Sequence, residues 1–271
     1  MKNDRQRGQA TIIILTMMVA AAGVALFLTR GVQIDLQITK VQEESARAFS
    51  AAEAGIESAL YDWQPGATTI PLQTGTVTTV SSNLGEGETS FVLPGIVRAG
   101  DFGVVWLAAH DEDGQIDETG YYNSPVQAVS VCFANDSAIE LVLFYKLGGD
   151  YFTVREAYDA NEARREENSF SAPTLENCAG LSWSGNISYP AGAIPLFMAA
   201  KVYYENTSLG AKGIGEGASF PSQGKLVTSA GQVDSLSNKI VSRRLKVLQS
   251  WDIPPLIFLD PLFAGSGGQA F

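Results

Sequence analysis

An uncharged run from residue 8 to residue 29 constrains this chain more than any other feature of its sequence. As an α-helix, residues 9–29 extend about 30 Å, which matches the hydrocarbon thickness of a lipid bilayer. Basic residues outnumber acidic ones in the segment 1–8 that precedes the run. Because positively charged flanks stay in the cytoplasm, the sequence predicts a membrane-spanning helix with the rest of the chain outside the cytoplasm.

Two other interpretations of the run stay open. A secretory signal peptide would be cut near the small residues Ala20, Ala21 and Ala22. The apolar residues continue through Leu28, however, where a mature secreted protein normally becomes polar. An ordinary uncleaved membrane anchor has the same hydropathy, so the run alone does not separate it from a processed one.

Helical periodicity continues well beyond the run. Apolar side chains recur mostly every three or four residues, which is the spacing of one helical stripe. They lie at Ile34, Ile38, Val41, Phe49, Ala52, Ile56, Leu60 and Trp63. Residues 32–41 also alternate as a strand would, but the Ala- and Glu-rich sequence that follows favours a helix. We therefore predict one helix from Gln9 to about Trp63, about 80 Å long, that ends before Pro65.

The two ends of this helix carry a family resemblance. RGQATIIIL at residues 7–15 and SARAFSAAEAGIESAL at residues 45–60 together resemble the N-terminal segment of PilX-like minor pilins and related pseudopilins. The resemblance covers about residues 5–63, which is less than a quarter of the chain. It implies a subunit of a type IV pilus or pseudopilus.

The resemblance also implies a processing step. In that family a prepilin peptidase cuts after the glycine on the cytoplasmic side, which here lies between Gly8 and Gln9, and Gln9 becomes the N-methylated first residue. The chain then divides into a leader at 1–8, a helix at 9–63 and an extracytoplasmic head at 64–271. Major pilins carry a glutamate at the fifth mature position, where this chain has Ile13, so the resemblance implies a minor subunit.

The implied partners are the prepilin peptidase, other pilin-like subunits and the membrane. On extraction from lipid, the apolar helix would pack against other helices, with lipid contact replaced by protein contact. The side chains expected to contribute most are Leu15, Val19, Leu26 and Phe27. The mature protein would lie in the cell membrane as a single-pass protein, with its N terminus cytoplasmic, and at the pilus or cell surface after assembly.

After Gln64 the sequence becomes rich in Thr, Val, Gly and aromatic residues, and short apolar segments predict strands. They lie at residues 74–82, 89–97, 102–110, 125–134, 138–147, 150–158, 194–204, 224–230 and 239–251. Turn residues such as Asp113-Gly114 and Gly148-Gly149 separate them, and the second pair predicts a hairpin. The fold class is α+β: a long transmembrane and amphipathic helix, followed by a mainly antiparallel β-rich head. The charged run 159–173 reads as a solvated loop or a short helix.

Charge and cysteine content exclude some functions. The net charge of −11 disfavours a nucleic-acid surface, because phosphate binding needs a basic stripe. Two cysteines, Cys132 and Cys178, are too few for a thiolate zinc site. Outside the cytoplasm they can form one disulfide, and two separately buried thiols are the alternative.

No motif predicts catalysis or a cofactor. His110 is the single histidine, and no nucleophile elbow accompanies it, so we interpret it as a strand-end residue. The glycine-rich residues 209–217 lack a phosphate-binding fingerprint and predict a flexible loop. Asp111, Asp113 and Asp117 offer oxygens to calcium, although the spacing departs from an EF-hand and an acidic hairpin turn is the simpler interpretation.

The sequence thus predicts a minor pilus or pseudopilus subunit that is not an enzyme and carries no cofactor. The alternative is a membrane-anchored extracellular binding or adhesion protein that never enters a filament. Both functions need the same membrane-spanning segment, so hydropathy alone does not separate them.

Overall fold

The computed structural model describes residues 6–73, 75–111, 113–234 and 240–253. Its first element is a single helix, α1, which spans Gln6–Tyr61 without a break. The predicted continuous helix is therefore confirmed, including residues 32–41 with their strand-like alternation. The helix ends slightly earlier than predicted, because Tyr61 and not Trp63 is its last residue.

The remaining described elements are strands and one short helix. The strands are β1 Gly66–Leu72, β2 Gly75–Asn83, β3 Ser90–Val92, β4 Phe102–Trp106, β5 Ala108–His110, β6 Ile116–Tyr121, β7 Ala128–Phe133, β8 Ala138–Leu147, β9 Asp150–Asp159, β10 Thr174–Cys178, β11 Leu181–Ser188, β12 Ile194–Tyr203, β13 Leu209–Gly213, β14 Gly224–Asp234 and β15 Ile240–Ser250. The short helix, α2, is Glu162–Asn168.

The strands form four sheets in the described part of the chain. Their orders are β1-β2-β14-β15, β10-β11-β7-β13-β3, β4-β12-β8-β9 and the pair β5-β6. Adjacent strands in the last three sheets run antiparallel. A long N-terminal helix followed by an antiparallel β-rich domain agrees with the predicted α+β class.

The chain divides into two compact units. In the first, the C-terminal half of α1 packs on residues 75–80 and 228–234 of strands β2 and β14. Ala48, Ala52 and Ile56 are buried on α1. Small side chains allow the close approach, because a Cβ atom added to Gly231 would lie only 2.1 Å from the carbonyl oxygen of Ala48.

The second unit holds residues 81–227 and the end of β15. Its main core comes from apolar side chains on the central strands that are fully or almost fully buried. They include Val129, Val131, Phe133, Ile139, Leu141, Leu143 and Met198. The predicted Gly148-Gly149 hairpin is confirmed: Leu147 pairs with Asp150, and both glycines have positive φ angles, as a tight two-residue turn requires.

The prediction of a flexible loop at residues 209–217 is wrong for the first part of this segment. Instead of a flexible loop, Leu209–Gly213 is the strand β13, paired on both sides with β7 and β3. A Cβ atom added to Gly210 would lie 2.6 Å from the carbonyl oxygen of Phe91. The glycine therefore permits close strand packing here, which turn statistics alone do not reveal.

Other strand boundaries also differ from the prediction. The predicted strand 102–110 is split at Leu107, whose backbone bonds to Leu196 and Tyr122. Residues 89–97 contribute only the short β3, followed by Pro94 and by Gly95 at a φ of 93°. Strands β1, β6, β10 and β11 were not predicted. Residues 162–168 form α2, so the short-helix interpretation of the charged run is the correct one.

Candidate membrane-anchoring and assembly helix

The first part of α1, residues 12–41, is mostly apolar and exposed along its whole length; we call this segment the rod. Every residue from 12 to 41 is exposed, so nothing in the described chain covers this segment. The predicted packing residues Leu15, Val19, Leu26 and Phe27 lie within it and are 63% to 79% exposed. An uncovered apolar surface of this length needs lipid or another protein around it.

The uncharged part of the rod suits a bilayer. By length and composition, α1 is long and apolar enough to cross a membrane, with the span beginning at Ile12 in the described residues. Two of its hydroxyl groups bond within the helix, Thr16 Oγ1 to the Ile12 carbonyl and Thr29 Oγ1 to the Leu26 carbonyl, each at 3.0 Å. These polar side chains therefore need no water, as the hydrocarbon region requires. The helix is compatible with a membrane anchor.

The rod continues beyond the length of one bilayer. Arg30 is the first charged residue after the uncharged run, and Asp35 and Lys40 follow. Between residues 32 and 41, five apolar side chains are nevertheless 51% to 64% exposed. They are Val32, Ile34, Leu36, Ile38 and Val41. Neither a bilayer of about 30 Å nor the described part of the chain covers these side chains.

These five side chains occupy two sides of the helix. At 3.6 residues per turn, Val32 and Leu36 lie within about 40° of each other. Ile34, Ile38 and Val41 lie about 180° to 240° from Val32, on the opposite side. A helix with two opposed apolar faces is suited to contact neighbours on both sides.

The second part of α1 is held by its own sheet. A Cβ atom added to Gly55 would lie 2.5 Å from Ser229 Oγ and 2.6 Å from Val77 Cγ1. Arg243 Nε on β15 also donates a hydrogen bond of 2.8 Å to Ser45 Oγ. The same helix is thus fixed at its C-terminal half and bare at its N-terminal half.

The predicted cleavage positions lie at the start of α1. Gly8 and Gln9 fall in its first turn, while residues 1–5 of the predicted leader lie outside the described residues. Ile13, at the position where major pilins carry glutamate, is one of the exposed side chains.

His110 lies at the end of β5, as predicted. Its ring stacks on Trp251, with centroids 4.7 Å apart, and meets Trp106 edge-on at 4.4 Å. Burial lowers the pKa of His110 below its ordinary value, although the neighbouring Asp111 carboxylate acts in the opposite direction. The imidazole is therefore mainly neutral at pH 7 and belongs to an aromatic stack.

The three acidic residues considered for calcium lie in or beside the β5–β6 turn. Asp111 Oδ1 accepts from the backbone N–H groups of Asp113 and Gln115, at 3.0 and 2.8 Å. Asp117 Oδ1 accepts from the backbone and hydroxyl of Thr119. Among the described residues, no group of three or more His, Cys, Asp or Glu side chains is arranged to hold a metal. The Asp111 and Asp117 carboxylates act as acceptors for local backbone N–H groups, which agrees with the simpler interpretation of an acidic hairpin turn.

Cys132 on β7 and Cys178 at the end of β10 form a disulfide, with Cα atoms 5.3 Å apart. Both residues are fully buried. The bond closes a loop between residues 46 positions apart in the chain. It ties an edge strand of the five-stranded sheet to the strand β7 near its middle.

Sequence reasoning missed the glycines that seat α1 on its sheet. Gly55 lies in the middle of a helix, where glycine is about 1 kcal/mol less favourable than alanine. An isolated glycine in a helical pattern often has a packing reason, and that signal was available in the sequence. Gly231 carries no such signal, because its role depends on a helix far away in the chain.

Comparison of the sequence with known protein families and with curated proteins found no match.

Proposed function

We propose that this protein is a minor subunit of a type IV pilus or pseudopilus. In this proposal α1 anchors the subunit in the membrane and later packs into a filament after prepilin-peptidase cleavage. The supporting observation is the exposure of apolar side chains from Val32 to Val41, beyond the length of one bilayer. A plain anchor has no use for these side chains, whereas a helix surrounded by other helices covers them.

In the proposed mechanism, α1 moves from lipid into contact with the helices of other subunits. In the membrane, lipid covers residues 9–29. After extraction, neighbouring helices cover the same residues, and van der Waals packing between helices replaces contact with lipid. The opposed faces of residues 32–41 would contact neighbours in the filament, while the sheet holds residues 45–56 in place. This work is assembly and not catalysis.

Processing at Gly8 is part of the proposal. Glycine has no side chain to obstruct a protease, and the basic residues around it hold the bond at the cytoplasmic face. Ile13 offers no carboxylate to the amino terminus of a neighbouring subunit, which suits a subunit that occurs rarely, such as one at a filament tip.

A membrane-anchored binding protein outside any filament is the second candidate. It is favoured by a polar, aromatic cleft in the second unit, beside Trp251. Such a protein would keep its first eight residues, because it needs no processing. The two candidates therefore differ in the amino terminus of the mature protein.

The test is mass spectrometry of the amino terminus, applied to the membrane and sheared surface fractions of the native cells. We expect mature protein that starts at a methylated Gln9 in both fractions. The Gly8→Ala variant should start at Met1 and disappear from the surface fraction. Gly23→Ala is the matched control, because a Cβ atom added there meets nothing within 4 Å.

Other amino termini would contradict the proposal. A wild-type protein that starts at Met1 would support the plain anchor, and a start near Gly23 would indicate a secreted product. Normal maturation of the Gly8→Ala variant would also count against the proposal.

A further inference from the structure

The second unit contains a cleft of about 290 Å³ beside the end of β15. Three segments that are distant in sequence line it: the β5–β6 turn, the start of β14 and residues 249–252. The side chains used below are those of Asp113, Gln115, Lys225, Gln249, Trp251 and Asp252. All of these residues belong to the same compact unit.

One wall of the cleft is a fixed aromatic ring. Trp251 Nε1 donates a hydrogen bond of 3.0 Å to the Ser222 carbonyl. The Trp251 ring also stacks on His110 at an interplanar angle of 12°, and His110 in turn meets the buried Trp106. The indole is therefore held in position before any ligand arrives, so binding loses little side-chain entropy there.

The other walls of the cleft are polar. Asp113 and Asp252 provide carboxylate acceptors, and Gln115 and Gln249 provide amides that both donate and accept. Asp111 Oδ1 accepts from the backbone N–H groups of Asp113 and Gln115, which holds these two residues in place. Within the described part of the chain, the side chains of Asp113, Gln115 and Asp252 make no hydrogen bond. These groups are available to a ligand.

The chemistry of the walls selects the ligand class. An anionic ligand would meet the two carboxylates of Asp113 and Asp252 against the single ammonium group of Lys225, so the charged lining is net negative. An apolar ligand would leave the amides and carboxylates without partners. A hydroxyl group both donates and accepts, so a polyhydroxylated ligand satisfies either kind of wall group. The C–H face of a sugar ring is apolar and flat, and it packs against an indole as other apolar surfaces do.

We propose that the cleft beside Trp251 binds a neutral saccharide of one or two rings. The volume lies at the small end of the range of ligand pockets, which sets the size. Trp251 would stack on the ring, with the Asp113 carboxylate and the Gln115 amide bonded to hydroxyl groups. This site does not depend on filament assembly, and its test uses purified protein alone.

The test uses the full chain in lipid nanodiscs, because detergents with sugar headgroups would compete for the cleft. Saturation-transfer difference NMR is recorded with glucose, galactose, mannose, N-acetylglucosamine, N-acetylgalactosamine and their β-linked dimers. We expect at least one of these to bind, with the strongest transfer to the ring C–H protons. The affinity should fall about tenfold in Gln115→Ala, because one bonded wall group is lost.

Two variants separate loss of the site from loss of the fold. Trp251→Ala removes the stacking ring but also disturbs the contact with His110. Gln115→Ala leaves that contact intact. The matched control is Gln64→Ala, which removes an exposed glutamine that does not line the cleft.

Three results would overturn the proposal. One is absence of binding across the whole panel, and another is binding that survives both Trp251→Ala and Gln115→Ala. The third is stronger binding of tetramethylammonium or choline than of any sugar, since that would assign the site to a cation held on the Trp251 ring. None of these results bears on cleavage at Gly8.

Discussion

Asp159, the last residue of β9, is a fully buried carboxylate whose partners are all local. Arg164 binds it through two hydrogen bonds, from Nη2 at 2.7 Å and Nε at 3.0 Å. The Asn161 backbone and the Asn168 side chain donate two more, both at 2.8 Å. Burial would raise the pKa of Asp159, but these donors outweigh it and hold the pKa below its ordinary value. The carboxylate therefore stays ionised and fixes α2 against the end of β9.

Replacing Arg164 should lower the stability of the folded protein. Arg164→Met leaves a buried charge without its main partner, so we expect a loss of about 3 kcal/mol in the free energy of unfolding. Arg155→Met is the control, because the ion pair between Arg155 and Glu140 is more exposed. This pair should contribute about 0–1 kcal/mol to the free energy of unfolding. Urea unfolding of the full chain in nanodiscs, followed by near-ultraviolet circular dichroism, measures both. Equal losses in the two variants would contradict this role of Asp159.

His110 should make stability depend on pH. Burial lowers the pKa of His110 in the folded protein, and this effect is larger than the opposing effect of the Asp111 carboxylate. In the unfolded chain the pKa of His110 is about 6.5. The associated stability is therefore fully present above the unfolded pKa and is lost as pH falls through the folded pKa. We expect the free energy of unfolding to fall as the pH drops below about 6.5, and to fall less in His110→Phe, which keeps an aromatic ring in the stack. Identical pH slopes in the two proteins would refute the prediction.

At the scale of elements, the seating of α1 on its sheet depends on the absence of one side chain. A Cβ atom at Gly231 would overlap the Ala48 carbonyl, which is helix backbone and cannot rotate away. Gly231→Val should therefore lower the free energy of unfolding by about 2 kcal/mol or more. Ala230→Val, at the adjacent and less buried position of β14, is the control and should change it little. Thermal unfolding of the full chain measures both, and an unchanged midpoint in Gly231→Val would show that the contact is not tight.

Some of the helices and strands could be predicted from the sequence and others could not. Helix α1 was predictable because its signal is local: an uncharged run, a regular stripe and a later proline. Strand β13 was not predictable, because closely spaced glycines are typical of a loop. Its strand conformation depends on pairing with β7 and β3, which lie on either side of it. Strands β6, β10 and β11 are rich in polar residues and owe their state to their neighbours.

The candidate sites divide in the same way. The exposed apolar side chains of α1, such as Leu26 and Phe27, follow from hydropathy alone. The cleft beside Trp251 was missed, because it unites residues 113–115, 225 and 249–252, and no local pattern reports a meeting of distant segments. The sequence did draw attention to the β5–β6 turn, where it favoured an acidic hairpin over a calcium site, and the structure has local hydrogen bonds to Asp111 and Asp117 there.

At the scale of the whole molecule, the central feature is a helix whose apolar exposure exceeds what one bilayer can cover. Residues 12–41 extend about 45 Å as a helix, against about 30 Å of hydrocarbon. The remainder stays exposed to water in an isolated, membrane-anchored chain, which is unfavourable. We propose that assembly with similar helices removes this cost and gives the subunit its stable place.

Photo-crosslinking at Leu36 tests this claim most directly. A benzoylphenylalanine at that position lies beyond the bilayer on one apolar face of α1, and the same group at the exposed Tyr151 is the control. After irradiation of the sheared surface fraction, we predict that position 36 is joined to the N-terminal helix of another pilin-like subunit and position 151 is not. Recovery of the chain from membranes alone, with no helix-to-helix product at position 36, would contradict it.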